Sequence, residues 1–325
     1  MTQQTKKVFS NKRIIKFVLN YATYFFFLLV CIVLAVTTDT FLTTTNIVNV
    51  LLQTSIVAVM AIGVTFVIIT GGNDLSMGGV MGVTSAVGVV MIKIHNLPWW
   101  QAMIAMLVVS ALFGLINGFV VAYIKVPAFL TTLSTKFIAR GLTLVVSKGS
   151  SMFGLPAAFL FLSAKKFGGV PIIIIFVIIL YGLFYVRLRH TIFGRRIYAV
   201  GSNRESARVS GINVEKTQLL AYMQCGLLVG ISSILLTGRM NSFWPAIGTD
   251  MEFNAIAGSI IGGTSMTGGV GNLTGTFMGV MLMGVINNAL NLYGVDANWQ
   301  EAARGMVILF AVIIDALRNR YNTVE

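Results

Sequence analysis

Apolar and polar positions in this chain fall into long alternating blocks. The apolar blocks run for roughly 20 residues, the length that carries a helix through hydrocarbon. They are not the alternating stretches of about 10 residues that a membrane barrel requires. Ten such runs are expected, over 21–37, 47–69, 78–94, 101–124, 127–147, 170–187, 218–237, 253–267, 272–292 and 301–317. At about 1.5 Å per residue the second run reaches about 34 Å, enough to cross with modest tilt. The eighth run is short and glycine-rich, which marks a broken or re-entrant helix. The pattern therefore predicts an all-α integral membrane protein of about ten transmembrane helices.

One polar island interrupts the pattern. Residues 187–216 read RLRHTIFGRRIYAVGSNRESARVSGINVEK, with seven basic and two acidic side chains. A segment of this kind between two spans lies in water, and its charge orients the chain, because basic loops stay on the cytoplasmic side. With a cytoplasmic N-terminus, fifteen basic residues fall in cytoplasmic segments and five outside, while Lys136, Arg140 and Arg304 lie within spans. The expected organisation is a cytoplasmic tail over 1–20, a transmembrane domain over 21–317 with a cytoplasmic loop at 187–217, and a cytoplasmic tail over 318–325. The basic N-terminus resembles a secretory signal, but TTDTFLTTTN follows its apolar run where a small-residue cleavage site would stand.

Composition agrees with the pattern. The chain is 56% hydrophobic and 10% charged, whereas soluble domains carry about 25% charged residues. The net charge of +13 does not indicate nucleic acid, since the basic residues flank spans and no sizeable soluble segment exists to form such a domain. Cys31 and Cys225 are far apart and lack the spacing of metal ligands. No GxxxxGK[ST] segment occurs, so ATP hydrolysis is not expected on this chain and no cofactor is expected in it.

Two halves of the chain share motifs in one order. GGNDLS at 71–76, FGLING at 113–118 and ARG at 139–141 are followed later by GGTSMTGG at 262–269, MGVINN at 283–288 and ARG at 303–305. By this alignment spans three to five match spans eight to ten, an odd offset that inverts one copy relative to the other. Two inverted five-helix halves would place a path at their interface. Chance likeness among glycine-rich membrane helices is the plainer alternative.

Within the island, SNRESARVSG has the signals of a short helix. Ser202 or Asn203 can cap it, Glu205 complements its dipole, and Gly211 supplies a left-handed stop. Small Ser206 and Ala207 would let a partner's groove close on the backbone, with Arg204 and Arg208 offering charge; a solvated loop explains the arginines alone. Asp74 either caps the third span, bonds backbone amides or a cargo hydroxyl, or holds a gate closed with an arginine. Arg140 and Arg304 either border a watery path or snorkel to the interface, and Glu301 is placed to pair with Arg304. Asn117, Asn287 and Asn288 are further path candidates. Asn291, Phe243, Trp244 and Trp299 add amide and aromatic groups that a polar cargo could contact, although interfacial anchoring also accounts for the tryptophans.

GGNDLSMGG, INGFVVAYIKVPAFLTTL, TIFGRRIYAVGSNRESARVSGINV, AIAGSIIGGTSMTGGVGNLTGT and NNALNLYGV occur in order from about Asn46 to Ile314. Together they resemble the membrane-spanning permease of ribose-type monosaccharide ABC importers. Asn73 departs from the aliphatic residue usual in that family's Gly-Gly-x-Asp-Leu-Ser motif. The resemblance implies a type II ABC importer-like fold and pairing with a second permease copy or paralogue. It also implies an extracytoplasmic sugar-binding protein and a cytoplasmic ATPase that carries ATP and Mg and grips the helix at Asn203–Gly211. Bacterial inner-membrane residence and a pentose or hexose cargo follow from it, with nucleosides and signalling furanoses as the alternative. An ion-coupled secondary transporter would need intramembrane carboxylates, of which there are almost none. No catalytic constellation or selectivity motif supports an enzyme or a channel.

Overall fold

The computed structural model describes residues 23–323. The basic tail expected over 1–20 and the last two residues lie outside the described residues. The helices are α1 (Thr23–Thr37), α2 (Thr44–Ile69), α3 (Met77–Lys93), α4 (Trp99–Phe119), α5 (Ala128–Ser147), α6 (Phe161–Ala164) and α7 (Ile172–His190). They continue with α8 (Ile192–Ser202), α9 (Arg204–Val209), α10 (Val214–Met240), α11 (Met251–Ile261), α12 (Leu273–Leu292) and α13 (Ala297–Thr323). A π-helical turn, Val120–Ile124, extends α4 before Lys125 turns left-handed at φ 66°. Two-residue strands β1 (Met152–Phe153) and β4 (Ser242–Phe243) pair antiparallel, as do β2 (Lys166–Phe167) and β3 (Val170–Pro171).

Among the described residues six helices are long and apolar enough to cross a membrane, namely α2, α4 with its π-turn, α5, α7, α10 and α12. Helices α1, α3 and α11 are apolar but shorter. The most apolar windows of α2 and α10 are 83% and 72% buried, against 28–50% for the other four, so these two form the centre. They run antiparallel: Ser232 Oγ donates to Ile56 O at 3.2 Å, Gly63 meets Cys225, and Tyr222 OH donates to Asn73 O at 3.0 Å. Each carries a neighbour on a small-residue seam, as expected where packing rather than water drives association. Helix α4 lies on α10 so closely that a methyl group on Gly114 would come within 3.0 Å of Gly226 Cα. Helix α12 lies on α2 with Gly284 against Thr54 and Thr65 Oγ1 3.0 Å from Thr276 Oγ1. Phe137, Val145, Ile178, Ile179 and Leu183 point outward as an apolar belt.

The structure bears on four expectations. The segment 187–217 is not a loop with one short helix, because α7 continues to His190 and α8 occupies Ile192–Ser202. Gly194, Ile197 and Val200 bury one face of α8, and Thr191 Oγ1 caps it by accepting from Gly194 N at 3.3 Å. The eighth run is the short, broken element its glycines predict: α11 spans only Met251–Ile261, after a turn-rich lead-in that passes Gly248 against Met81. The two glycine motifs do not lie at opposite ends, as an inverted pair would. Gly269 N donates to Ile69 O at 2.8 Å, and a methyl on Gly268 would stand 2.9 Å from Gly71 N. Finally, α13 runs helical to Thr323, so the segment expected as a tail from 318 continues the last helix.

Candidate functional site

The site is built from α8 upward. Phe193 stacks on Phe66 with centroids 6.2 Å apart, and the Arg187 guanidinium covers its ring at 4.7 Å. Tyr198 OH donates to Gly271 O at 2.7 Å, tying α8 to the loop before α12. At the end of α8, Gly201 lies on the backbone of both glycine motifs. A methyl group there would overlap Ile69 O and sit 2.5 Å from Gly269 N, so only glycine lets the helix seat.

Helix α9 follows after a single residue. Asn203 (φ −161°) accepts from Ser206 N at 2.9 Å, which satisfies one of the free amides at the helix start. At the other end Gly211 N donates to Arg208 O at 2.9 Å and Ile212 N to Ala207 O at 3.0 Å, with Gly211 at φ 78°. This is a Schellman stop, which a residue with a Cβ adopts at a cost. Arg208 bridges Glu215 at 2.6 Å and Glu205 at 2.8 Å. The hydrogen bond it donates to Glu215 and the charge of Glu205 hold its guanidinium pKa above the usual arginine value.

The outward face of α9 differs from the expected one. Ala207 is only 4% exposed, packed with Val200 and Val214 in a small core of its own, so it anchors the helix and offers nothing to a partner. Arg204, Glu205, Ser206 and Arg208 are exposed. Beside them Val209 is 89% exposed, an apolar side chain that sequence reasoning passed over. Its i+4 spacing from Glu205 was the available signal, since residues four apart share one face of a helix.

In the break between α2 and α3, Asp74 is 2% exposed. Its Oδ1 accepts from Ser76 N at 2.9 Å and from Ser76 Oγ at 2.6 Å. Ser76 Oγ in turn accepts from Asn117 Nδ2 at 2.9 Å, and Asn117 Oδ1 accepts from Thr135 Oγ1 at 2.6 Å. This chain joins the break to α4 and α5, and Asp74 organises the turn into α3. No ion pair joins Asp74 to an arginine among the described residues. Asn117 is fully buried, and with its amide bonded at both ends it does not line an open path here.

The remaining candidates are dispersed. Asn288 and Asn46 exchange amide bonds at 2.8 and 3.0 Å, which ties α12 to the start of α2. Asn287 is half-buried on α12 and Arg304 half-buried on α13; among the described residues Glu301 forms no ion pair with Arg304. Arg140 Nη2 donates to Thr249 Oγ1 at 2.5 Å, just before α11. One turn earlier on α5, Lys136 Nζ lies 2.5 Å from Glu252 Oε1 and 3.2 Å from Asp250 Oδ1. That four-residue charge cluster was not foreseen, because its partners are remote in sequence and nothing local marks either side.

A helical bundle with an apolar belt, a broken span and a capped helix held out at one end is the architecture of a multi-pass membrane protein. Residues 46–312 match the family described as the branched-chain amino acid transport system / permease component, and the chain belongs to that family. It is 39% identical over 286 residues to a ribose import permease of Escherichia coli K12, covering 85% of this chain and 87% of that one. It is 38% identical over 291 residues to the ribose import permease of Bacillus subtilis 168 (89% and 90% covered). The D-allose transport system permease of Escherichia coli K12 is 33% identical over 320 residues, with 97% and 98% covered.

Proposed function

We propose that this chain is the membrane-spanning subunit of an ATP-driven importer that carries a monosaccharide into the cytoplasm. The observation that carries this reading is the agreement of near-full-length relatives on one cargo class: ribose, D-allose and xylose permeases all align over most of their length. The family description names amino acids, but those relatives bear more directly on cargo. ATP and Mg belong to a separate ATPase, and a sugar-binding protein delivers cargo at the opposite face. A second permease copy completes the path.

In this reading α9, through Asn203, Arg204, Glu205, Ser206, Arg208, Val209 and Gly211, is where the ATPase docks. The end of the bundle carrying α8 and α9 is cytoplasmic, and the β1–β4 pair lies outside. Ten crossings result when α1, α3, α11 and α13 are counted with the six long helices, which puts both termini in the cytoplasm of a bacterial inner membrane. Packing supports inverted halves for the spans: α2 holds α11 and α12 as α10 holds α3 and α4. The glycine motifs stand apart from that relation, since both belong to the α8 junction.

The test is reconstitution in vesicles with the ATPase and binding protein encoded beside this chain. ATP-dependent uptake of D-ribose, D-xylose or D-allose is expected. Uptake driven by a proton or sodium gradient without ATP would refute the reading.

A further inference from the structure

The charge cluster at the start of α11 lies deep in the bundle. Lys136 and Arg140 are the ninth and thirteenth residues of the 20-residue α5, roughly 12 and 18 Å along it. Both therefore flank the helix midpoint. Glu252 is fully buried, and room for its carboxylate exists because α3 presents Gly78 there. Although Glu252 Oε1 is paired in charge with Lys136, neither of its oxygens has a well-directed hydrogen bond. Arg140 Nη1 and Asn254 Oδ1 are likewise buried without a hydrogen-bond partner. The other side of the cluster is open: Thr249 is exposed, the Asp250 side chain 37% exposed and Phe253 36% exposed. Charged groups at mid-depth do not face lipid; they face protein or a water-filled path. The span that reaches the cluster is broken, and half-helix ends at the midplane are where transport sites form.

The chemistry of the cluster selects its occupant. Two cations and two carboxylates cancel, so the site offers no net attraction to an ion. It presents donors and acceptors side by side, the pairing a hydroxyl can satisfy in both directions. The exposed ring of Phe253, with Lys136 Nζ 4.9 Å from its centroid, supplies an apolar plate for a C–H face. We propose that the head of α11 is a mid-depth station for a neutral polyhydroxylated cargo, with Thr249, Asp250 and Arg140 exchanging hydrogen bonds with its hydroxyls and the Lys136–Glu252 pair fixing the loop. This rests on the importer reading above.

The test uses the assembled permease, ATPase and binding protein in vesicles, with D-ribose, D-xylose and D-allose as probes. Asp250→Asn and Thr249→Val are expected to lower uptake about tenfold, because a polar site penalises lost pairing. Stimulation of the ATPase by the loaded binding protein stays within about twofold, because docking is untouched. Uptake at the wild-type level, or uptake and ATPase falling together, would overturn the station. Independently, Thr249→Cys in a Cys31→Ser, Cys225→Ala background should react with a water-soluble methanethiosulfonate, and saturating cargo with binding protein should slow the reaction. An unreactive or unprotected cysteine also overturns it. If the unsubstituted complex takes up no probe sugar, the importer reading fails and the station with it.

Discussion

At the scale of single residues, the chain uses short polar side chains to finish helices where the backbone would otherwise lack partners. Asn203 supplies one amide partner to α9. Asn203→Ala should cost about 1 kcal/mol locally, read as faster amide hydrogen exchange in residues 204–209 with the melting temperature of the bundle little changed. Asn117 carries a different burden. Its amide connects Ser76 to Thr135 inside the bundle, so Asn117→Leu removes one hydrogen bond from each of two buried hydroxyls, which keep their bonds to Asp74 and to Thr131 O. That should cost about 1–3 kcal/mol, measured as a lower melting temperature in detergent. A variant that melts at the wild-type temperature would show that Asn117 does not tie α4 to α5.

At the scale of elements, α8 and α9 behave as one unit, with α8 the seat and α9 the presented part. Val209→Asp should reduce ATPase retention on co-purification by roughly tenfold, about 1.4 kcal/mol, with no loss of folded permease. Ala207→Trp should instead disrupt the Val200–Ala207–Val214 core and loosen α9 itself, seen as protease sensitivity before any partner is added. Gly226→Leu forces α4 off α10 and should abolish monodisperse protein on gel filtration, because no side chain there can give way. How legible these elements were depended on the range of the forces that make them. Helix α9 was readable because its cap, its charges and its glycine stop all lie within ten residues. Helix α8 was hidden because Arg195 and Arg196 gave it the look of a solvated loop, while its buried stripe of Gly194, Ile197 and Val200 meets partners from distant parts of the chain. The side of α9 that Ala207 faces could not be known until Val200 and Val214 were in place. Lys136 and Glu252 were invisible for the same reason, since no local pattern announces an ion pair between α5 and α11.

At the scale of the whole molecule, orientation is the property with the widest reach. Single cysteines at Gly211 and at Ser150, in a chain lacking Cys31 and Cys225, should react with an impermeant thiol reagent from opposite sides of the membrane, Gly211 from the cytoplasm. The reverse pattern would turn the importer reading upside down. The spans were legible because hydrocarbon imposes one length and one composition on each. The break in the eighth crossing was legible from its short, glycine-rich run, but the meeting of the two glycine motifs was not, since it depends on how helices are placed after insertion. That meeting also bears on how the protein is made. Gly201 seats against Ile69, already synthesised, and against Gly269, which leaves the ribosome long after it. The seat of Gly201 is therefore complete only once the loop ahead of α12 has been made, so the last part of α8's contact surface is among the last parts of the chain to be synthesised.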